Sequence, residues 1–516
     1  MENIKDKINA QKFKCGEAGL NSINEDNLTN DMCLKKKTSV DNKTLSNETT
    51  IDMQNKTFED KEIKNFYYID KTKMTLNKLK DGRRVFHNKT ELQEYDSNDP
   101  LFNQKFIEFR QLFFENLLLT ENFKEEMKQP LTIQSALFST FVYEDDFLEP
   151  IIQAFKLPSI IIRHREDVKY NQMEEHGNYI KYVFPKINVT LKWGKFHSKL
   201  MLFKFPKFLR VIIPSANLTN CDWQFWGQII WFQDFPLKQE NQIENEDSKL
   251  FREYLQSFMS TFMPHTYEGK RFWTDLEIDF NDYDFSNTCV DLFASANGRF
   301  RGNELNLYGI GRLHHLVNTK YKSIPRNPRL IIQCSSIGKS IKEKFFEDFY
   351  KGFNIFGNKD MRKVEIIYPS INYITSFAMG EELTGCLFLT EDAYKLHKNK
   401  FKLMEVKEKY ADRKTVFHSK IFVTGDSNEK GEFIINDNSI FYFGSHNFSA
   451  AAIGNFEKEN QQVSTANYEL GVIFNPRKLR KEEKEELFNM LLFNFNTPKY
   501  ENAKDEQPYL NDFTQL

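Results

Sequence analysis

The sequence has few of the features that mark secreted, zinc-binding and membrane proteins. Its 516 residues include only six cysteines, with no Cys-x-x-Cys pair, so neither a disulfide framework nor a structural zinc site is expected. No apolar run approaches the roughly 18 residues of a membrane helix, and the first residues lack the apolar core of a secretory signal. We therefore expect reduced thiols, a cytosolic or nuclear setting and no membrane contact.

An excess of positive charge is also missing. The 71 Lys and Arg residues are balanced by 73 Asp and Glu residues, which gives a net charge of −2. A protein that coats long duplex DNA carries a global basic field, so this class is excluded. A nucleic-acid enzyme remains compatible, because acidic residues elsewhere can offset a local basic channel.

The order of polar and apolar segments predicts the organisation of the chain. Residues 1–65 are polar and cannot bury enough apolar surface to offset their ordering entropy, so we predict a disordered tail. A helical pattern follows over residues 103–127, and then β-branched runs alternate with amphipathic stretches. The predicted fold is α/β, with two domains at residues 66–288 and 289–516, each a mixed sheet flanked by helices. The predicted strands lie at residues 159–162, 209–213, 227–232, 330–333, 364–368, 440–443 and 469–474.

An internal repeat carries the functional information. Each copy has a Phe-His-Ser-Lys segment, two apolar runs and a Ser-x-Asn-x-Ser/Thr segment. The shared polar residues are His197, Lys199 and Asn217 in the first copy, and His418, Lys420 and Asn447 in the second. The second copy contains an insertion, residues 425–438, whose composition predicts a turn between two strands. Two copies about 220 residues apart predict duplicated halves that share one active site.

The repeat is more specific than its shortest element. A His-x-Lys triplet occurs by chance, and His87-Asn88-Lys89 is such a match, without the strands and asparagine segment that follow the other two. The alternative interpretation is a pair of exposed strand ends with incidental histidines. It does not explain why four residues, two strands and the asparagine segment recur together.

The residue types fit phosphodiester chemistry. Residues at i and i+2 of a strand share a face, so each histidine and lysine pair can reach one ligand. Two lysines and two asparagine amides form a positive, donor-rich pocket for phosphate oxygens. One histidine can attack phosphorus while the other protonates the leaving oxygen and later activates water. No metal-ligand cluster surrounds the motifs, so we expect the lysines to stabilise the charge that a metal pair stabilises elsewhere.

The repeat resembles the phospholipase D superfamily, and within it the tyrosyl-DNA phosphodiesterase family. Most phospholipase D members have an Asp five residues after the motif lysine, whereas this chain has Lys204 and Gly425 there. The loss of this Asp with retention of both asparagines is typical of the tyrosyl-DNA phosphodiesterase branch. The resemblance covers about residues 100 to 480 and includes segments 222–228, 298–300, 335–338, 367–370 and 467–472.

The resemblance implies roles for the residues of the site. His197 would be the nucleophile and His418 the proton donor and acceptor. Gln228 would support the nucleophilic histidine, and Glu469 would orient the acid/base histidine. Glu469 as an ordinary strand-edge acid and Gln228 as a partner of backbone groups are the structural alternatives.

A second group of residues would bind DNA. Trp193 takes the place of a family aromatic that stacks on a DNA base, although a lid over the strand end is an alternative role. Ser336 and Ser449 resemble serines that contact DNA phosphates, as part of the substrate-binding set with Lys199 and Lys420. Lys339 departs from the family pattern, since a serine is expected at this position.

The implied activity is a DNA-repair phosphodiesterase. Its substrate would be a 3′-phosphotyrosyl adduct, as left by a trapped type IB topoisomerase on single-stranded, nicked or ended DNA. The reaction would pass through a phosphohistidine, without metal or other cofactor, in a monomer located in the nucleus, with the mitochondrion as a further site left open. The alternatives are a phospholipase D-like lipid phosphodiesterase and a catalytically inactive single-stranded nucleic-acid binding module.

Overall fold

A computed structural model describes residues 77–78, 84–86 and 133–511 of the chain. It has gaps at residues 167, 189, 192–193, 264–268, 322–328, 340, 354–363, 378–379, 382 and 409–413. The predicted tail at residues 1–65 and the predicted helix at residues 103–127 lie outside the described residues.

The first half of the described chain is built on one sheet. Its strands are β1 (Asn77–Lys78), β2 (Arg84–Phe86), β3 (Ser135–Thr140), β4 (Ser159–Arg163), β5 (Gln172–His176), β6 (Ile180–Phe184), β7 (Leu200–Lys204), β8 (Phe208–Pro214) and β9 (Ile230–Pro236). Within the described residues they pair in the order β1-β2-β9-β8-β7-β3-β4-β6-β5. Their central members are rich in β-branched and aromatic residues and are buried, as expected for a sheet covered on both faces.

The second half contains a large sheet and a small one. Its strands are β10 (Val290–Ser295), β11 (Gly298–Arg301), β12 (Arg329–Gln333), β13 (Val364–Tyr368), β14 (Phe401–Leu403), β15 (Ile421–Ser427), β16 (Phe433–Ile434), β17 (Phe441–Gly444), β18 (Asn455–Glu457), β19 (Gln462–Thr465) and β20 (Glu469–Phe474). In the described part, the large sheet has the order β10-β20-β17-β15-β12-β13-β14, with β16 paired to β15, and the small sheet has the order β11-β19-β18.

Helices lie between and beside the strands. The α-helices are α1 (Asp145–Phe155), α2 (Asn220–Gln224), α3 (Glu246–Ser260), α4 (Gly309–His315), α5 (Glu343–Gly352), α6 (Ile371–Thr375), α7 (Glu391–His397), α8 (Ala450–Ile453) and α9 (Lys481–Met490). Short 3₁₀ turns occur at Phe272–Leu276, Phe280–Asp282, Gly302–Glu304, Thr384–Cys386, Lys398–Lys400 and Tyr500–Asn502, and helix α4 continues into a π turn at Leu316–Lys320.

The two large sheets are duplicates of each other. Strands β9-β8-β7-β3-β4-β6 of the first correspond in order to β20-β17-β15-β12-β13-β14 of the second. The orientation of each pair also agrees: the first three pairs are antiparallel in both sheets, and the last two are parallel. This match confirms the predicted α/β fold of two pseudo-symmetric halves. The predicted boundary before residue 289 lies between β9 and β10.

The hydrophobic core joins the halves. One cluster of buried side chains contains Leu202 and Trp231 from the first sheet and Val423 and Leu470 from the second, and Phe258 of helix α3 packs in the same cluster. Burial of apolar surface stabilises folds by about 25 cal/mol per Å², so this shared cluster fixes how the sheets face each other. That packing therefore also fixes the geometry of any site that lies between the halves.

Most predicted strands agree with the structure. Residues 159–162, 209–213, 330–333, 364–368 and 469–474 lie within observed strands, while the strands predicted at 227–232 and 440–443 are shifted toward the C-terminus. The prediction for residues 425–438 was incomplete. This segment is not only a turn, because β15 extends to Ser427 and pairs there with the short strand β16.

Candidate active site

The two copies of the repeat lie at equivalent strand ends and meet between the halves. His197 and Lys199 precede β7, and His418 and Lys420 precede β15. Each histidine segment pairs with a segment of the opposite half, through parallel bridges from Phe196 to Tyr468 and from Phe417 to Gly227. The His197 N–H donates to the Tyr468 carbonyl (3.0 Å), and the His418 N–H donates to the Gly227 carbonyl (2.8 Å). Backbone hydrogen bonds therefore hold both histidines at the interface.

Glu469 holds the imidazole of His197. Its Oε2 lies 2.7 Å from the Nδ1 of His197, and its side chain is fully buried at the start of β20. The Ser445 hydroxyl donates to the same Oε2, and the Asn467 amide donates to Oε1 at 3.0 Å. A carboxylate on Nδ1 fixes the tautomer with the Nδ1 proton and leaves the Nε2 lone pair for a ligand. Within the described residues, no hydrogen bond uses the Nε2 of His197.

Asp222 holds the imidazole of His418. Its Oδ1 lies 2.9 Å from the Nδ1 of His418, and the Gln228 amide nitrogen lies 3.3 Å from the same Nδ1. The Gln228 amide also donates to the Asp222 Oδ1 at 3.0 Å, and its oxygen accepts from the Ser215 hydroxyl at 2.6 Å. Gln228 therefore belongs to the pair formed by His418 and Asp222.

The predicted pairing of the histidines with their partners was wrong. Gln228 was expected to support His197 and Glu469 to orient His418, but each contacts the histidine of the opposite half. The physical reason is the interface itself: each histidine segment forms its backbone bridge with the segment just before the other half's β9 or β20, which carries the partner side chain. The roles carried over from the resemblance therefore assigned each partner to the wrong imidazole.

Asp222 is a partner of His418 that the sequence analysis did not single out, although it begins the segment 222–228 that resembles the family. It lies three residues after Thr219, whose hydroxyl caps helix α2 by accepting from the Asp222 N–H. In the second copy Ser449 caps helix α8 in the same way, by accepting from the N–H of Ala452. Because the corresponding residue is alanine, a comparison of the two copies does not mark Asp222. The usable signal was a carboxylate inside a capping segment of a catalytic motif.

Burial and charge set the protonation states of both pairs. Burial lowers the pKa of His197 to about 4 and that of His418 to about 3. Burial alone would raise the pKa of Asp222, but His418 and the bonds from Asn217 and Thr219 outweigh it and lower the pKa to about 2. The pKa of Glu469 is also lowered, since His197 outweighs burial. Two ionised carboxylates thus face two neutral imidazoles.

The two lysines occupy symmetric, fully buried positions. The Lys199 ammonium donates to the His197 carbonyl at 2.8 Å, and the Lys420 ammonium donates to the His418 carbonyl. Burial lowers the pKa of Lys199 to about 7 and that of Lys420 to about 8. The charge of Lys420 lowers the pKa of Lys199 further. An anion between them would restore both charges.

The asparagines hold the neighbouring loops. The Asn217 oxygen accepts from the Val142 N–H (3.3 Å), and its amide lies 3.3 Å from Asp222. The Asn447 oxygen accepts from the Ser336 N–H (3.3 Å), which is the equivalent contact in the second half. A backbone N–H thus orients each amide group. The amides are already in place before a ligand binds, so no side-chain rotation is needed at that step.

The predicted DNA-binding residues have different outcomes. Ser336 and Ser449 lie together on the second half, because Ile337 pairs with Phe448 and a Cβ on Gly338 would lie 2.9 Å from the Ser449 Cβ. Both serines are partly exposed next to Asn447, and Lys339 is exposed beyond them. Trp193 lies outside the described residues.

Aromatic rings line the histidines. The ring of Phe141 lies 5.3 Å from that of His197, and the ring of Trp226 lies 5.2 Å from that of His418. The Trp226 indole donates to the Leu383 carbonyl at 2.8 Å, which fixes its position. These rings exclude water from one side of each imidazole and strengthen its charge interactions.

Neither a metal-binding cluster nor a membrane-spanning helix occurs in the part of the chain that the structure describes. No group of three or more His, Cys, Asp or Glu side chains in the described part of the chain could hold a metal ion. Among the same residues, no helix has the length and apolar character needed to cross a membrane.

A duplicated α/β fold with one His, Lys and Asn set from each half defines the phospholipase D-like class. Within that class, residues 119–511 match the tyrosyl-DNA phosphodiesterase family, and the chain belongs to that family.

Sequence identity to individual relatives is low. The chain is 25% identical over 368 residues to Tyrosyl-DNA phosphodiesterase 1 of Arabidopsis thaliana, which covers 68% of this chain and 58% of the plant protein. It is 23% identical over 355 residues to Tyrosyl-DNA phosphodiesterase 1 of Drosophila melanogaster, which covers 64% of this chain and 59% of the fly protein. The chain thus spans less than two thirds of the length of these curated relatives.

A solved structure supports the fold. The crystal structure of the yeast tyrosyl-DNA phosphodiesterase matches with a TM-score of 0.55 at 15% identity, over 77% of this chain and 99% of the yeast chain. At this identity the match shows the fold alone.

Proposed function

We propose that the protein is a DNA-repair phosphodiesterase that hydrolyses 3′-phosphotyrosyl adducts on DNA. The observation that carries the proposal is the convergence of two carboxylate-held imidazoles, His197 and His418, from opposite halves. Two such groups with buried lysines beside them suit a two-step displacement at one phosphorus. Membership of the tyrosyl-DNA phosphodiesterase family supports the choice of substrate.

In the first step, the Nε2 lone pair of His197 attacks phosphorus and forms a P–N bond. The bond from phosphorus to the tyrosine oxygen breaks, and the proton of His418 passes to the departing phenolate. The pKa of His418 is low in the free protein, so the proton is taken up when the anionic phosphodiester enters the site and favours the imidazolium. The product is DNA joined to His197 through its 3′-phosphate.

In the second step, water replaces His197 at phosphorus. His418 is now neutral and accepts a proton from this water, whose oxygen forms the new P–O bond as the P–N bond breaks. The bonding electrons return to the Nε2 of His197. The enzyme is restored, and the DNA leaves with a 3′-phosphate.

Lys199, Lys420 and the two asparagines would stabilise the charge that develops on the non-bridging oxygens. The lysines are fully buried, so their charge acts in a medium of low dielectric, where it is less screened than in water. The asparagine amides add donors without further charge. These side chains supply the electrostatic stabilisation without a metal or other cofactor.

The carboxylate environments support different roles for the two histidines. Asp222 accepts from Asn217, Thr219 and Gln228 besides His418, so its charge is shared among several donors. A carboxylate in this state supports an imidazolium weakly, which suits an acid that must release its proton. Glu469 is fully buried and lies 2.7 Å from the Nδ1 of His197, so its charge supports a nucleophilic Nε2 on that imidazole.

We place the DNA strand on the second half. Ser336 and Ser449 are adjacent and partly exposed beside Asn447, where their hydroxyls can donate to consecutive phosphates. Trp193 would stack on a base near the 3′ end. The tyrosyl peptide of a trapped type IB topoisomerase would leave from the other side of the phosphorus, as in-line displacement requires. We further propose that the protein acts as a monomer in the nucleus.

One assay tests the proposal. An oligonucleotide with a 3′-phosphotyrosine is incubated with the full chain, in parallel with phosphatidylcholine vesicles. The expected result is release of tyrosine and a 3′-phosphate oligonucleotide, with the lipid unchanged, and His197→Ala serves as the inactive control. Cleavage of the lipid alone would identify a lipid phosphodiesterase, and binding of DNA without cleavage would identify an inactive binding module.

A further inference from the structure

We propose that His164, which follows strand β4, is a positioning residue for the nucleophile His197. It acts through the backbone amide of Phe196, the residue before the nucleophile. The inference depends on the proposed function, which makes His197 the attacking group.

The backbone on either side of the nucleophile is held by Tyr468. The Tyr468 N–H donates to the Lys195 carbonyl (2.9 Å), and the His197 N–H donates to the Tyr468 carbonyl (3.0 Å). Backbone groups alternate in direction along an extended segment, so the N–H of Phe196 points away from Tyr468. Among the described residues, the β-bridge of Phe196 is the one to Tyr468, on the other side of the segment.

His164 supplies an acceptor for the N–H of Phe196. The Phe196 N–H donates to the Nδ1 of His164 at 3.2 Å, and Phe196 itself has no exposed surface. Without this acceptor a buried donor would be unsatisfied, and the segment would shift toward another partner. Such a shift moves the neighbouring His197, whose Nε2 must lie in line with phosphorus.

The contact requires one tautomer of His164. Because Nδ1 accepts, the proton must be on Nε2, which lies 3.1 Å from the Glu166 carboxylate. Glu166 also forms an ion pair with Lys195, the residue before Phe196. The carboxylate therefore contacts both His164 and the segment that carries the nucleophile. The side chain of His164 is only 3% exposed, and burial lowers its pKa against the opposing effect of Glu166. The imidazole is therefore neutral and can accept.

His164 and the nucleophile His197 share an aromatic neighbour, and the corresponding position of the second half is not a histidine. The Phe141 ring lies 5.3 Å from the rings of both His164 and His197. In the duplicated sheet, the residue after β13 corresponds in position to His164, and it is Pro369, whose side chain offers no acceptor. A histidine at this position is thus found in the half that carries the proposed nucleophile, whereas the second half has Pro369.

Three substitutions separate positioning from a structural role. His164→Asn keeps an acceptor near the position of Nδ1, whereas His164→Gln keeps only a group near Nε2, and His164→Leu keeps neither. The control is His176→Leu, on the edge strand β5 and half-exposed, far from the repeat. We measure kcat and KM on the 3′-tyrosyl oligonucleotide, the single-turnover rate of covalent capture and the thermal unfolding temperature.

We expect His164→Leu and His164→Gln to slow covalent capture by about 10-fold or more, with KM within about three-fold of wild type. His164→Asn should restore most of the rate at a similar unfolding temperature. An unchanged capture rate in His164→Gln, or equal losses in the Asn and Gln variants, would overturn the inference. The Asn and Gln pair decides the question even if the Leu variant does not fold.

A second measurement needs no substrate. Diethyl pyrocarbonate modifies the Nε2 of His197, and mass spectrometry reports the extent of modification over time. The rate should change in His164→Gln and remain near wild type in His164→Asn. Failure of wild type to cleave the tyrosyl oligonucleotide would disprove the proposed function, while equal modification rates in both variants would disprove the positioning role.

Discussion

Glu469 and His197 belong to opposite halves of the chain, and their contact of 2.7 Å crosses the interface between the two sheets. The equivalent position to Glu469 in the first half is Gln228, as shown by the serines that hold each of them, Ser215 and Ser445. The halves thus exchange their partner residues. The active site exists only when both halves are folded and packed together.

The exchange predicts opposite kinetic effects for two substitutions. Glu469→Gln removes the carboxylate from the nucleophile and should slow covalent capture of DNA by about 10- to 100-fold. Asp222→Asn removes it from His418 and should mainly slow release of DNA from the covalent species. Single-turnover gels with a 3′-labelled tyrosyl substrate measure both steps. The opposite pattern, with slow capture in the Asp222 variant and slow release in the Glu469 variant, would make His418 the nucleophile and reverse the proposed roles of the two histidines.

The repeat made much of the site predictable. His197, Lys199, Asn217 and their second-half counterparts recur with the same neighbours, and the strands after each motif follow from runs of β-branched residues. Periodicity and recurrence are local signals, so they survive in a single sequence. Even the pseudo-symmetric arrangement of the sheets followed from them.

The pairing of side chains across the interface was not predictable in this way. Gln228 and Glu469 are each about 30 to 50 residues after the histidine of their own half, and nothing in that spacing shows which imidazole they face. Which imidazole each residue faces depends on the bridges from Phe196 and Phe417 to the opposite half, and these bridges are tertiary contacts. His164 has the same property, because its acceptor role appears only when β4 is placed beside the first motif.

Metal independence is a second prediction. Lys199 and Lys420 are buried beside the histidines, and the proposed mechanism uses them as the positive charge of the site. Activity on the tyrosyl oligonucleotide should therefore be unchanged in excess EDTA, as measured by initial rates with and without the chelator. A phosphodiesterase with a known magnesium requirement serves as the control for chelation. An absolute requirement for added magnesium would show that the charge-stabilising group has been misassigned.

The buried lysines predict a pH dependence. Their pKa values of about 7 and about 8 lie below that of a free lysine, so the charged forms are lost as the pH rises through this range. Phosphate binds the charged forms, so kcat/KM should fall as the pH rises above about 7, and substrate binding near pH 7.5 should take up protons. Rate profiles give the first quantity, and calorimetry in buffers of different ionisation enthalpy gives the second.

An arginine substitution provides the control for this profile. Lys199→Arg keeps a charge that does not titrate below about pH 12, so its alkaline limb should move to higher pH even if the rate is lower. A wild-type profile that stays flat to pH 10 would contradict the lowered pKa values.

The last prediction separates the two histidines, which the repeat alone makes equivalent. His197→Ala removes the nucleophile and should abolish covalent capture of DNA. His418→Ala leaves the nucleophile in place, and a phenol is acidic enough to depart without full protonation, so capture should continue at a reduced rate. Water then lacks the base that activates it, and the covalent protein–DNA species should outlast that of wild type. Denaturing gels with a labelled tyrosyl oligonucleotide show this species as a shifted band, and its decay gives the lifetime. A lasting band from His197→Ala, with none from His418→Ala, would reverse the two roles.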